Sequence, residues 1–268
     1  MKRAGLAFAA VAAVTFCVGP FVWQVITSLK TEEELTSLGL PTIVTLQNYV
    51  GAFTGRPFGQ VILNSALVAG ITTLFCLTVG ASAAFALAKL TFPGRRLLLG
   101  MALIVSMFPP IATVSPLYLI IRAVGLRDQL AGLILPYTTF ALPLTLWTLT
   151  GFFRDIPDEL LRAARIDGCT TFEAFRKVML PLAVPGLATT GILVFIFAWN
   201  EFLYALTFTS SPDKRTIPVA ISLFAGEHKE PWGEIAAASV IATLPLIIVT
   251  LIFQRKIVSG LTAGAVKG

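Results

Sequence analysis

Few side chains in this sequence have the type and spacing for covalent chemistry. His228 is the only histidine, and Cys17, Cys76 and Cys169 lie far apart with no CxxC pair. That argues against a histidine-based metal or proton-relay site and against a zinc or disulfide framework, and it leaves no candidate catalytic or metal-ligating set. No Gly-Lys dipeptide occurs, so a phosphate loop of the Gly-Lys-Ser/Thr kind is absent and nucleotide has to bind elsewhere. What remains is the chemistry of recognition. The run Phe197 to Tyr204 places Trp199, Asn200, Glu201 and Tyr204 inside an otherwise apolar stretch. Aromatic rings stack on the apolar faces of sugars, while amides bond sugar hydroxyls. Asn200, Glu201 and Tyr204 are therefore the candidate substrate-path residues, with Glu201 the weaker because it can turn toward a helix partner. The competing reading of Asn200 is a helix–helix hydrogen bond worth around 1 kcal/mol.

A second constellation lies in the polar segment 154–181. Pro157 suits a first helical turn, and Asp158 and Glu159 favour the positive end of a helix dipole. Leu160, Leu161 and Ala164 form one apolar side, and Gly168 stands where that helix ends. Thr170 and Glu173 have the spacing of a capping box that starts another helix. Phe172, Phe175, Val178 and Met179 share one helical face amid Arg176 and Lys177, and Pro181 is expected to end it. Gly168 is expected to permit a close approach of the two helices. Such a segment has nothing to bury in lipid and reads as a surface gripped by another protein. Phe172 and Phe175 lie one turn apart, and a partner cleft is expected to bury both. An ordinary amphipathic helix lying on a membrane surface is the alternative.

The elements that carry these residues are membrane helices. Hydrophobic residues make up 56% of the 268 and charged ones 13%, where a soluble domain carries about 25% charged. Mean hydropathy is +0.85. Apolar runs at 4–29, 62–88, 97–121, 131–153, 182–208 and 235–253 each reach the roughly 20 residues that cross a hydrocarbon core. Backbone polar groups there must be satisfied internally, which predicts helices; the alternation of a membrane barrel is missing. The class expected is an all-α membrane protein with six transmembrane helices in a single domain, 1–268. Lys2 and Arg3 before an apolar run resemble a signal peptide, but the run from Ala4 to Leu29 is long and carries Trp23, which favours a retained first span.

Charge placement orients the chain. Lys2, Arg3, Lys89, Arg95, Arg96, Arg154, Arg162, Arg165, Arg176, Lys177, Arg255, Lys256 and Lys267 fall on the side of the N-terminus, 13 of the 20 basic residues. That bias predicts cytoplasmic N- and C-termini. It also accounts for the net charge of +6 without nucleic acid as a partner. Segments 30–60 and 209–234 are then external, 154–181 internal, and 254–268 an internal tail too polar to span. The prolines and glycines of 209–234 predict a shaped loop. Prolines at 109, 110, 116, 136 and 143 fall within spans, where they act as bends or are simply tolerated. Asn64 and Ser65 open the second span.

Segment 154–181 resembles the EAA loop of bacterial ABC importer permeases: Glu-Ala-Ala, three residues, Gly, nine residues, Ile, one residue, Leu-Pro. Ala163, Ala164, Gly168, Leu180 and Pro181 are in register, with Val178 at the Ile position. Arg162 stands in place of the motif Glu, and Glu159, one turn earlier, is the candidate substitute. Ile156 to Gly168, Ala198 to Phe202 and the ending Gly260 to Gly268 are similar to the MalG-like carbohydrate permeases. Leu133 to Tyr137 and Gln254 to Val258 resemble the trehalose permeases among them. The resemblance implies the transmembrane domain of a type I ABC importer, in the plasma membrane of a bacterium. It implies half of a pathway for a disaccharide such as trehalose or maltose. It also implies a second homologous permease, two ABC ATPase subunits holding ATP and magnesium, and an external sugar-binding protein or lipoprotein. No cofactor is implied for this chain, and it is not itself an enzyme. Glu159, Ala163, Ala164, Asp167, Gly168, Phe172, Phe175 and Pro181 then couple to the ATPase, and Ala225, Gly226 and Glu227 meet the binding protein. An ion-coupled secondary carrier is the alternative; it calls for more buried ionisable groups than this chain has. A membrane scaffold is the other, and it has no need of a coupling loop.

Overall fold

The computed structural model describes residues 2–224 and 230–263, with side chains from 5 to 253 within those bounds. Helices α1 (Lys2–Ser28), α3 (Phe58–Lys89), α6 (Ala131–Asp155) and α13 (Trp232–Ala263) are long and apolar enough to cross a membrane. Two bent helix pairs also reach the length and apolarity of a span when each is counted as one. Helices α4 (Arg95–Ser106) and α5 (Pro110–Ala123) meet at 95°. A rod over Thr171–Leu182 meets α10 (Val184–Trp199) at 75°.

The expected third span, 97–121, is therefore not one straight helix. Pro109 is extended and lacks an amide proton, so the ladder stops at Ser106 and restarts with Pro110 in a first turn. The expected fifth span, 182–208, is likewise interrupted: α10 stops at Trp199, and α11 (Leu203–Phe208) begins after a non-helical gap. Pro181 does not end its helix as expected. A π-helical turn, Phe175–Met179, comes just before it and relieves the clash a proline ring makes with the carbonyl four residues back. Helix then continues through Leu182 and breaks at Ala183. Pro136 and Pro143, by contrast, lie buried in an unbroken α6. The first ten residues of the expected tail, 254–263, continue the last helix. The backbone of α13 runs through Pro245 and stays helical to Ala263; residues 264–268 lie outside the described residues.

The centre is α3 packed on α6 and α10, at sites where small residues let helices approach. A Cβ on Gly80 would lie 2.5 Å from Thr145 Cγ2, and one on Gly186 would lie 2.4 Å from the Phe152 ring. One end of this bundle joins Ala81, Phe85, Leu149 and Phe153 to the polar segment 154–181. The other end gathers the remaining loops. Asn64 Nδ2 donates to the carbonyls of Asp213 and Arg215, and Ser65 Oγ accepts from Ile217 N–H at 2.8 Å. These two residues do not open the span; they sit inside α3 and clamp a loop onto it. Asn48, on α2 (Gln47–Phe53), donates to the carbonyls of Ser28 and Lys30. Asp128 accepts from Ser210 and Ser211. Thus Lys89 and Arg154 sit at one end with the polar segment, and Lys30, Arg56, Arg127, Lys214 and Arg215 at the other.

Candidate functional site

The polar segment is a compact block. Helix α7 (Asp158–Ile166) starts after the extended Pro157 with both acids in its first turn. Leu161 and Ala164 face inward and are buried, while Ala163 and Asp167 are exposed. Glu159 pairs with Arg162 at 2.5 Å, and both side chains are more than half exposed. The residue that replaces the motif acid is thus held by the candidate substitute acid, in a pair that contributes little to stability by itself. Gly168 has φ +86° and nothing within 4 Å of the position a Cβ would take. The expected close approach of two helices is therefore not what requires glycine here; the left-handed backbone that ends α7 is.

Helix α8 (Thr171–Ala174) then begins with the capping box the spacing predicts. Thr170 Oγ1 accepts from Glu173 N–H, and the Glu173 carboxylate accepts from Thr170 N–H at 2.9 Å. That backbone bond, with Lys177 beside it, pulls the Glu173 carboxyl down to about 2.

The two aromatics part company. Phe175 is buried against this chain's own helices, its ring centroid 5.0 Å from Phe85 and 6.3 Å from Phe153. Met179 is fully buried beside it. The expectation that a partner cleft buries both rings fails for Phe175, because α3 and α6 already enclose that face. Phe172 is 69% exposed and Ile166 is 85% exposed. Both are bare apolar side chains, one on each side of Gly168 in the sequence. Sequence reasoning missed Ile166; the signal was a lone branched apolar residue on the side of α7 opposite Leu161 and Ala164. Pro181 is exposed beyond the π turn.

The interrupted fifth span holds the other candidates. Asn200 ends α10, its Nδ2 donating to the Ile196 carbonyl at 2.8 Å and its Oδ1 left to accept. It lines a cavity of about 310 Å3 with Trp199, Ile217, Ser222, Ser239 and Thr243. Glu201 turns inward: its carboxylate accepts from Tyr204 and Ala205 N–H at 2.9 and 3.2 Å, capping α11. Tyr204 is 2% exposed, bonded to Thr113 at 2.6 Å and stacked on Phe140. It is a packing residue against α5 and α6, so of the three only Asn200 faces open space.

At the opposite end, Ala225, Gly226 and Glu227 lie outside the described residues. The chain on either side is held by one guanidinium. Arg56 lies 4.4 Å from the Phe224 ring centroid and pairs with Glu234. The described part of this loop is shaped, with α12 (Ile217–Ser222) docked on α3. Among the described residues no group of three or more His, Cys, Asp or Glu side chains could hold a metal ion.

This arrangement, a bundle with interrupted spans and a polar block fused to one end, has relatives. The family described as binding-protein-dependent transport system inner membrane component matches residues 76–262. The trehalose transport system permease protein SugB of Mycobacterium tuberculosis is 51% identical over 258 residues, covering 95% of this chain and 94% of that protein. The trehalose/maltose transport system permease protein MalG of Thermococcus litoralis is 41% identical over 274 residues, covering 100% and 98%. In fold, the chain superposes on a subunit of a bacterial ABC transporter that imports the acidic polysaccharide alginate. The TM-score is 0.78 at 22% identity, over 95% of this chain and 96% of that one. The chain belongs to the binding-protein-dependent transport system inner membrane components, the permease subunits of ABC importers.

Proposed function

We propose that this chain forms half of the pathway by which an ATP-driven importer moves a small sugar of the trehalose or maltose class across a bacterial plasma membrane. The observation that carries the reading is the block 154–181, which turns its apolar side into α3 and α6 and leaves Ile166 and Phe172 bare. Burying one such side chain in a partner contributes roughly 1.5–3 kcal/mol, enough for two residues to anchor a contact. The partner is one of two ATPase subunits that hold ATP and magnesium, and this chain performs no hydrolysis itself. The block therefore lies in the cytoplasm with both chain termini, in keeping with the basic residues gathered at that end.

A second, homologous permease completes the pathway. The opposite end, with Arg56 and α12, meets an external sugar-binding protein. Asn200 faces the path, where an amide acceptor matches a sugar hydroxyl. The test is reconstitution in vesicles with the ATPase subunits, the second permease, the binding protein and radiolabelled trehalose. Uptake is expected only with ATP and the binding protein. Uptake driven by a proton or sodium gradient without ATPase subunits would make the chain a secondary carrier.

A further inference from the structure

We propose that Lys89 is the positioning residue that locks the coupling block to the transmembrane body, so that movement of the block is carried into α3 rather than lost at the joint. The inference rests on the coupling role proposed for 154–181. Lys89 is the last residue of α3. Its side chain is only 3% exposed, and its Nζ donates to the Ile156 carbonyl and to Asp158 Oδ1, both at 2.5 Å. Those two acceptors flank Pro157, where the chain leaves α6 and enters α7. One ammonium thus ties together the end of α3, the end of α6 and the start of α7.

The rings of Phe85, Phe153 and Phe175 pack close by, but apolar packing has no direction. The ammonium supplies it, because a charge-assisted bond is strong and oriented. A buried charge stripped of its acceptors is costly, so the joint cannot slide without breaking both bonds. The position suits a cation, since the carboxyl end of α3 carries partial negative charge. Asp158 answers from outside: its carboxylate is exposed and is held below the usual range by the Lys89 hydrogen bond and charge.

The test uses the assembled importer. Lys89→Met keeps the stem and removes the charge, Lys89→Arg keeps a donor that can reach both acceptors, and Asp158→Ala removes one acceptor at an exposed site. The readouts are ATPase co-purification, basal hydrolysis, maximal hydrolysis stimulated by trehalose-loaded binding protein, the binding-protein concentration at half-stimulation, and uptake. In Lys89→Met the first two and the half-stimulation concentration are expected at parent level. Maximal stimulation and uptake are expected to fall about tenfold, within the span of typical coupling effects. Asp158→Ala falls by less, and Lys89→Arg restores coupling. Parent-level stimulation in both Lys89→Met and Asp158→Ala overturns the proposal. So does loss of the ATPase from Lys89→Met, which would make the residue a docking contact. If the Lys89→Met chain itself fails to fold into the membrane, Asp158→Ala decides. A parent complex that the binding protein does not stimulate overturns the function proposed above along with it, whereas a stimulated parent with unaffected variants sinks Lys89 alone.

Discussion

The ring of Phe175 lies 5.0 Å, centroid to centroid, from that of Phe85, so the aromatic at the heart of the polar block grips a transmembrane helix of its own chain. Phe172, three residues earlier, is 69% exposed. The two variants should therefore fail differently. Phe175→Ala opens a cavity between α3, α6 and the π turn and is expected to cost about 3–5 kcal/mol, read as a lowered melting temperature of the purified chain. Phe172→Ala should leave stability within about 0.5 kcal/mol of the parent while releasing the ATPase subunits on co-purification. Ile166→Ala should behave like Phe172→Ala. Matching losses of stability in all three would contradict the division of faces.

Gly168 separates a backbone demand from a steric one. Its φ of +86° is unfavourable for any other residue, yet a Cβ there would meet nothing within 4 Å. Gly168→Ala should thus cost about 1–2 kcal/mol from the left-handed conformation alone. Gly168→Asn should cost less, since asparagine tolerates that region better. Thermal denaturation of the series orders them glycine, asparagine, alanine. Equal loss in alanine and asparagine would point to a clash instead.

The capping box makes an acid-sensitive element. Glu173 is held at about 2, first by the Thr170 backbone bond and then by Lys177, against an ordinary value of 4.5. A depressed carboxyl contributes stability that is fully present above the unfolded value and is lost as pH falls through the folded one. The block should therefore loosen between about pH 4.5 and pH 2. Glu173→Gln should flatten that part of the stability profile, and hydrogen exchange at the amides of Thr170 to Ala174 is the local readout. An unchanged profile in the glutamine variant would remove Glu173 as the cause.

How far these features were legible depends on whether their cause is local. Thr170 and Glu173 recognise each other within one turn, and Gly168 ends its helix through its own φ, so both were readable from spacing. The long apolar runs were readable for the same reason: each satisfies its backbone within itself. Phe175 and Phe172 were not separable, because periodicity puts both on one side of a helix and only the placement of Phe85 and Phe153 decides which ring is enclosed. The bends at Pro109 and near Pro181 were no more legible, because Pro136 and Pro143 have the same chemistry and leave α6 unbroken. Tyr204 read as a path residue from its type, yet Thr113 and Phe140, distant in sequence, claim it. Lys89 carried no motif at all; its partners are 67 and 69 residues away.

Asn64 anchors the opposite end. Its amide satisfies the carbonyls of Asp213 and Arg215 at 2.8 and 3.0 Å from a buried position on α3. Asn64→Leu removes the donors and leaves both carbonyls without them, a loss of about 1–3 kcal/mol per unsatisfied group. Protease nicking between Ser211 and Phe224 should rise while ATPase co-purification, which depends on the far end, stays at parent level. Loss of the ATPase would mean that the two ends do not act as separate units.

The interrupted fifth span supplies the sharpest contrast between neighbours. Asn200 keeps a free acceptor toward a cavity of about 310 Å3, whereas Tyr204 spends its hydroxyl on Thr113 inside the protein. Asn200→Leu should lower trehalose uptake, or uncouple it from hydrolysis, with stability close to the parent because the lost amide donor served only its own helix. Tyr204→Phe should cost about 0.5–1.5 kcal/mol for the deleted hydrogen bond and leave uptake per assembled complex unchanged. Ser239→Ala and Thr243→Ala, on the α13 wall of the same cavity, extend the comparison, since each hydroxyl bonds its own backbone and retains acceptor capacity toward the open side. Uptake normalised to assembled complex is the measurement. If Tyr204→Phe impaired uptake while Asn200→Leu did not, the path would run along the α5 and α6 side of the break, and the cavity beside Asn200 would be a packing gap between α10, α12 and α13.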